Sequence, residues 1–174
     1  RILFAGTFSP AYDVNLINKI IGKLKEYAPV TVTIAASLGA TEYWKKVSYD
    51  TVVSVTHDEM PTLIQEHDLG FSVWRNNLGI SLTSVASTKT AEFLACGRPV
   101  VINSLQGDFG VLIKEYNAGV VTSSDSEKDI EGYAKKILDL IKDKTTPKRC
   151  RELALKEFNL ELGVKDLIEL YEKM

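Results

Sequence analysis

Short apolar runs alternate with amphipathic segments along the whole chain, and this alternation is its clearest structural signal. Six apolar runs are predicted strands: Ile2–Ala5, Val30–Ala35, Val52–Val55, Leu69–Trp74, Pro99–Asn103 and Gly119–Thr122. Strands that are apolar on both faces are typical of a parallel sheet covered by helices on both sides. The pattern therefore predicts an α/β fold, a doubly wound, Rossmann-like and mostly parallel sheet of about six strands.

Helical periodicity predicts the connections between these strands. Asp13 is a suitable N-cap for a helix in the first connection, and further helices are expected over Thr41–Val47, Met60–Glu66 and Gly107–Tyr116. From Ser126 onward the chain is predicted to be helical, with a break at residues 144–147. Two apolar stripes are expected to pack these C-terminal helices: Ile130, Ile137 and Ile141, then Leu167, Leu170 and Tyr171.

Composition narrows the class of protein. A chain of 174 residues is expected to form one domain, 1–174, with a core of its own. A net charge of −2 argues against partners such as nucleic acid or a membrane surface. Cys96 and Cys150 form no disulfide framework, and no apolar run spans a membrane or resembles a signal peptide. We therefore expect a cytoplasmic protein, and the start on Arg1 directly before an apolar run suggests an excised domain.

Residues 87–101 carry the strongest candidate chemistry. Ser87 is a predicted N-cap and Gly97 a predicted C′ residue of a short helix. Lys89 lies in its first turn with Glu92 three residues later, so both share one face. A lysine beside free backbone N–H groups attracts an anion, and a carboxylate about one turn further in can accept from a diol. The spacing indicates a phosphate with a sugar beside it, or alternatively only a solvated ion pair.

This segment resembles the Lys-x-x-Glu-(Tyr/Phe)-Leu-Ala-x-Gly-x-Pro-Val-(Val/Ile) stretch of retaining GT-B glycosyltransferases. The resemblance covers the whole chain, is strongest from Asp58 to Val121, and implies the donor-binding C-terminal half of such an enzyme. In that family the glutamate holds the ribose of a nucleotide-sugar and the lysine contacts its phosphates. The resemblance thus implies that Lys89 is catalytic, offsetting charge on the leaving diphosphate, and that Lys89 and Glu92 both bind substrate.

The loop after the first strand departs from the family. Gly6 allows close approach of the backbone to a ligand and Thr7 offers it a hydroxyl, so both are candidate substrate contacts, unless the segment is only a strand–helix turn. Thr7 stands where the family usually has an arginine. Between Arg1 and Lys19 there is no basic residue. Arg75, at the end of the fourth strand, is a candidate phosphate-binding residue that would partly replace the positive charge missing from the first loop. The alternative is that Arg75 is an ordinary cation facing solvent.

Two further residues are candidate substrate contacts. His57 follows the third strand, near where the family's backbone meets the nucleobase, although a surface hydrogen-bonding role is the alternative. Ser84 stands where many relatives have the first acid of a Glu-x7-Glu pair, near the donor sugar. Asp108 is expected to cap the helix that follows it. No histidine or cysteine spacing indicates a metal, and no cofactor is expected.

The resemblance implies a nucleotide-sugar-binding domain. The whole enzyme would move a sugar from a nucleoside diphosphate donor to a glycan or glycoconjugate acceptor, as in polysaccharide biosynthesis. Its expected partners are the nucleoside diphosphate sugar and an N-terminal domain of the same enzyme, without which the fragment is expected to be inactive. Two alternatives remain open: a non-catalytic GT-B-like scaffold domain, which would not bind nucleotide, and a sugar-nucleotide epimerase, which needs no acceptor.

Overall fold

A computed structural model describes residues 1–6, 11–36, 44–75, 87–104 and 106–173. In these residues six strands form one sheet: β1 Ile2–Ala5, β2 Val32–Ala35, β3 Thr51–Val53, β4 Leu69–Ser72, β5 Val100–Asn103 and β6 Gly119–Thr122. Their order is β3-β2-β1-β4-β5-β6 and every pairing is parallel. The predicted α/β fold with a doubly wound, Rossmann-like sheet is confirmed, and the chain reverses its winding direction between β1 and β4.

The helices of the described residues lie where periodicity predicts them. They are α1 Val14–Tyr27, α2 Met60–Gln65, α3 Thr88–Ala95, α4 Phe109–Glu115, α5 Glu127–Lys142, α6 Thr146–Glu157 and α7 Leu160–Glu172. Asp13 caps α1 as predicted, because its Oδ1 accepts a hydrogen bond from the Leu16 backbone N–H at 3.1 Å. The predicted helix over Thr41–Val47 lies partly outside the described residues.

Two hydrophobic cores lie on opposite faces of the sheet. Alternate residues of β1 point to different cores, Phe4 to one and Leu3 to the other, and both are fully buried. Helices α1 and α5 cover the first face. Helices α2, α3, α4 and α6 cover the second. Continuous apolar runs are therefore needed in the strands, since every strand side chain in the middle of the sheet meets a helix layer.

The C-terminal helices differ from the expected packing. In α5, Ile130 and Ile137 are buried as expected, but Ile141 is 42% exposed and Leu140 is buried instead. Successive helix residues are about 100° apart, so the buried face of the last turn is rotated from the expected stripe. Helix α7 has no buried residue, and its apolar positions, including Leu167, are exposed to solvent. No helix in the described ranges has the length and apolar character needed to cross a membrane.

Candidate functional site

The candidate site lies where β1 and the start of α3 meet. Gly6 follows β1 directly, and its backbone N–H donates to the Ala35 carbonyl at 2.9 Å. Its φ of +112° is a conformation that side-chain-bearing residues rarely adopt. A Cβ on Gly6 would lie 3.6 Å from Cε of Lys89, so the lysine side chain passes over this glycine. The fold therefore brings together two of the residues that the sequence nominates, from positions more than 80 residues apart.

Helix α3 is held against the sheet by two buried residues. Phe93 and Leu94 are 2% and 0% exposed, and the Phe93 ring lies directly against Gly70 of β4. The helix ends in the predicted glycine cap: Gly97 has a φ of +72°, its N–H donates to the Leu94 carbonyl at 2.9 Å, and Arg98 N–H donates to the Phe93 carbonyl at 2.8 Å. This pair of bonds is a Schellman motif, which fixes where α3 stops.

The start of α3 is built differently from the prediction. Ser87 has the extended backbone of an N-cap, but its hydroxyl makes no capping hydrogen bond, so that part of the prediction is wrong. Its carbonyl accepts instead from the backbone N–H groups of Thr90 and Ala91 at 3.0 and 3.4 Å. The Thr90 N–H is thus occupied, and among the described residues the N–H groups of Thr88 and Lys89 stay available to another acceptor.

Lys89 and Glu92 form an ion pair with one another. The lysine Nζ donates to both Oε1 and Oε2 of the glutamate, each at 3.1 Å. Their side chains are 34% and 29% exposed, so the pair is only partly shielded from solvent. Within the described ranges neither side chain has another hydrogen-bonding or ionic partner. The two charges cancel locally, which is the ion-pair alternative that the sequence left open.

Glu92 also borders an apolar pocket between α2 and α3. The pocket has a volume of about 180 Å³, and its other lining residues are His57, Met60, Pro61, Ile64, Ala95 and Cys96. Ligand sites for whole small molecules are typically about 300–1,000 Å³, so this pocket suits a single ring rather than an entire ligand. The predicted contact His57 is an exposed residue at this pocket.

Cys96 is half-buried in this pocket rather than fully buried. Burial raises the pKa of its thiol above the ordinary value. The thiol therefore stays protonated near neutral pH and serves as a small apolar wall of the pocket. Of the pocket residues, sequence reasoning nominated only His57 and Glu92. The apolar ones carried no functional signal, because isolated apolar residues on helices also pack cores.

Arg75 follows β4 at the same edge of the sheet, but it is engaged with the backbone. Its N–H donates to the Ala11 carbonyl at 2.7 Å, and its Nε donates to the Tyr12 carbonyl at 3.3 Å. Among the described residues, no contact joins Arg75 to Lys89 or Glu92. Its phosphate-binding role stays a prediction. Thr7 and Ser84 lie outside the residues that the structure describes.

A buried polar network, missed by sequence reasoning, ties the ends of β4 and β5 together. Gln106 is 0% exposed, and its Nε2 donates to the Ser72 carbonyl and to Oδ1 of Asn103. Asn103 Oδ1 also accepts from the backbone N–H of Trp74 at 3.2 Å. These bonds join Ser72 and Trp74, at the end of β4, to Asn103 and Gln106, at the end of β5. Polar residues at the carboxyl ends of apolar strands were the signal available in the sequence.

Neither the expected Asp108 cap nor a cluster of metal ligands is found among the described residues. Asp108 stands at the N-cap of α4, but its side chain makes no capping bond, so the expected cap is not formed. In the part of the chain that the structure describes, no group of three or more His, Cys, Asp or Glu side chains is arranged to hold a metal ion.

Comparisons with known proteins agree with this geometry at the level of the fold. No family model and no curated protein matches the chain. A glycosyltransferase from Rickettsia africae is similar over 99% of this chain and 47% of its own, with 12% identity and a TM-score of 0.72. Anabaena Alr3699/HepE, solved in complex with UDP-glucose, is similar over 99% of this chain and 49% of its own, with 16% identity and a TM-score of 0.69.

A third solved structure is similar to nearly the same length of chain. It is the C-terminal domain of a group 1 glycosyl transferase, LpcC, from Francisella tularensis, with 14% identity and a TM-score of 0.60. The match covers 91% of this chain and 86% of that one, whereas the chain spans about half the length of the other two. The chain thus has the fold of a C-terminal GT-B glycosyltransferase domain, as the resemblance implied.

Proposed function

We propose that this chain is the donor-binding domain of a glycosyltransferase and that its ligand is a nucleoside diphosphate sugar. The observation that carries the proposal is the position of Lys89 and Glu92. They lie together on α3 at the carboxyl end of β1, beside an apolar pocket that suits one ring. Ligands of doubly wound sheets bind at this edge, near the point where the winding direction reverses.

Each part of a nucleoside diphosphate has a matching group in this arrangement. The pocket between α2 and α3 takes the nucleobase, and Glu92 on its wall accepts hydrogen bonds from the ribose hydroxyls. Lys89 and the backbone N–H groups of Thr88 and Lys89 in the first turn of α3 face the diphosphate, with Gly6 allowing close approach of the backbone. As the bond to the sugar breaks, the lysine offsets charge developing on the leaving diphosphate.

Transfer of the sugar also requires side chains that bind the acceptor and complete the catalytic apparatus, and we assign these side chains to a second, N-terminal domain of the same enzyme. The glycosyltransferase from Rickettsia africae and the Anabaena protein Alr3699/HepE are about twice as long as this chain. The exposed apolar face of α7 supports this assignment, since such a face is normally covered by another protein surface. This chain alone is expected to bind donor without transferring sugar. A glycan or glycoconjugate acceptor and a retaining outcome stay predictions.

Two observations favour the alternative of a scaffold domain that does not bind a donor. Lys89 is already neutralised by Glu92, and Arg75 is bonded to the backbone of the first loop. A scaffold would need neither charge to be available. Nucleotide binding separates the two functions, because only a donor domain discriminates among nucleoside diphosphates.

The test is calorimetric titration of the protein with UDP, GDP, ADP and CDP. We expect saturable binding of one of them and a ten- to hundredfold loss in Glu92→Ala, since a hydrogen bond to a charged group contributes about 1.5–3 kcal/mol. The matched control is Glu26→Ala, which removes the acid of the Lys23–Glu26 pair on α1. That pair has the same spacing but lies on the opposite face of the sheet. No binding of any diphosphate, or equal binding by Glu92→Ala, would contradict the proposal.

A further inference from the structure

We propose that the indole ring of Trp74 is the surface on which the sugar ring of the donor lies. The inference rests on the proposed function and names a side chain that contacts the sugar rather than the nucleotide. It follows from where the ring lies, from the contacts that fix it, and from the part of its surface that these contacts leave uncovered.

Trp74 lies at the edge of the sheet where the chain reverses its winding direction. The neighbouring strands β1 and β4 are parallel, and Leu3 pairs with Gly70. Gly6 and Trp74 follow this pair by three and four residues, so both lie at the carboxyl end of the two strands. The end of β4 is one strand spacing, about 4.8 Å, from the end of β1. A sugar attached to a diphosphate at Gly6 is therefore within reach of Trp74.

The ring lies across the end of the sheet rather than inside one core. Its Nε1–H donates to Oγ of Ser72 at 3.1 Å. Ser72 points away from the core that holds Phe71 and Val73, since successive side chains of a strand alternate between the two faces. The indole stacks on Tyr12, which belongs to that core, with ring centroids 4.9 Å apart and planes at 24°. Trp74 therefore contacts both sides of the sheet and forms part of the floor of the crevice at its carboxyl end.

Contacts with three segments of the chain fix Trp74 in this place. Besides the bond to Ser72 and the stacking on Tyr12, Oδ1 of Asn103 in β5 accepts from the Trp74 backbone N–H at 3.2 Å. A side chain that is already fixed loses little conformational entropy when a ligand binds to it. Trp74 is only partly buried, and its indole N–H is already bonded. The part of the ring that solvent reaches is therefore an apolar surface of fixed orientation.

Such a surface suits the ring of a hexose. A pyranose turns C–H groups towards a face of its ring and hydroxyl groups outward, so that face can lie on an indole while the hydroxyls keep polar partners. The nucleobase has its own place in the pocket between α2 and α3. The sugar is therefore the remaining part of the donor that has an apolar face to bury.

The test compares a nucleoside diphosphate with its hexose conjugate in Trp74→Leu and Trp74→Phe. The titrations use UDP, GDP, ADP and CDP, then the glucose, galactose and mannose conjugates of the diphosphate that binds best. Trp74→Leu removes the flat surface, so the tightest conjugate should bind about five- to tenfold more weakly, while the affinity for the diphosphate should change by less than about twofold. Trp74→Phe also loses the bond to Ser72 but keeps a flat ring, so it should keep most of the affinity for the conjugate.

Fluorescence gives a second readout on the unmodified protein, so it decides even if a variant fails to fold. The chain has two tryptophans, and Trp44 is only 2% exposed, so quenching by acrylamide reports mainly on Trp74. The hexose conjugate should protect against quenching, and the diphosphate alone should not. The control variant is Tyr27→Leu, at an exposed aromatic residue about 20 Å along α1 from its start, which should leave both affinities unchanged.

The outcomes separate this inference from the proposed function. If a diphosphate binds but Trp74→Leu leaves the ratio of the two affinities unchanged, the sugar contact is overturned and the donor site stands. Equal protection against quenching by the diphosphate and its conjugate would also overturn it, because Trp74 would then contact the nucleotide. A Trp74→Phe protein as weak as Trp74→Leu would assign the effect to the bond with Ser72 and overturn the role of the ring surface. If the unmodified protein binds no diphosphate, both proposals fall.

Discussion

Replacing Gly70 by alanine tests whether close packing between β4 and α3 positions the site. A Cβ at residue 70 would lie 2.6 Å from Cγ and Cδ1 of Phe93 and 2.7 Å from its Cδ2. Phe93 is 2% exposed, so the ring cannot turn out into solvent without leaving the core. Overpacking of this kind costs about 1–3 kcal/mol. In a protein of this size, that loss lowers the melting temperature by about 2–12 °C.

The assay is thermal unfolding followed by circular dichroism, with Gly22→Ala as the matched control. Gly22 lies in α1, and a Cβ there meets no atom within 4 Å. Alanine at this helical position should stabilise the protein by about 0.5–1 kcal/mol. Opposite signs for the same substitution are therefore expected at Gly70 and Gly22. A Gly70→Ala protein as stable as the unmodified one would refute the packing argument.

The same variant should affect ligand binding, because Phe93 and Glu92 are neighbours on α3. Displacement of the helix by the new methyl group moves the carboxylate relative to the pocket, so Gly70→Ala should weaken nucleotide binding. Phe93→Leu removes the ring that the methyl group meets. In that background Gly70→Ala should cost less than it does alone, and strictly additive losses would show that the two positions do not interact.

Two further predictions concern stability. Leu153 is fully buried in α6, so Leu153→Ala should lower the free energy of unfolding, measured in urea, by about 2–5 kcal/mol. Leu167 on α7 is 54% exposed, so Leu167→Ala should lower it by less than about 0.5 kcal/mol. Equal losses in the two variants would contradict the exposure of α7. Bonds from the backbone and hydroxyl of Thr145 and from Arg149 lower the pKa of Asp143 from 3.8 to about 2. The stabilising effect of the ionised Asp143 is therefore present above the unfolded pKa of 3.8 and lost as the pH falls through about 2. Asp143→Asn should make the free energy of unfolding less dependent on pH between these two values. An unchanged dependence on pH in the variant would contradict this role of Asp143.

Local patterns predicted the backbone architecture well and the packing partners less well. The caps at Asp13 and Gly97 follow from the chemistry of one or two residues, and both are formed. Ser87 had equally suitable chemistry, yet its hydroxyl makes no capping bond. Ile141 continued an apolar stripe but is exposed, since the position of the surrounding elements decides which side of the last turn is covered.

The candidate site shows the same division. Residue types and spacing nominated Lys89 and Glu92, because three residues along a helix always share a face. The sequence left open whether they pair with each other, and the structure shows that they do. The pocket beside them combines residues of α2 with residues of α3 about thirty positions later in the chain. No local pattern relates these segments to one another.

The sequence by itself determined the alternation of strands and helices, the doubly wound class of the sheet and the helix that carries the candidate charges. These properties depend on periodicity and on cap residues, which act over a few consecutive positions. Only the tertiary structure decided that Lys89 passes over Gly6, that Phe93 requires a glycine at residue 70, and that the apolar face of α7 is exposed. Such contacts join distant parts of the chain, so they exist only once the sheet and its helix layers have assembled.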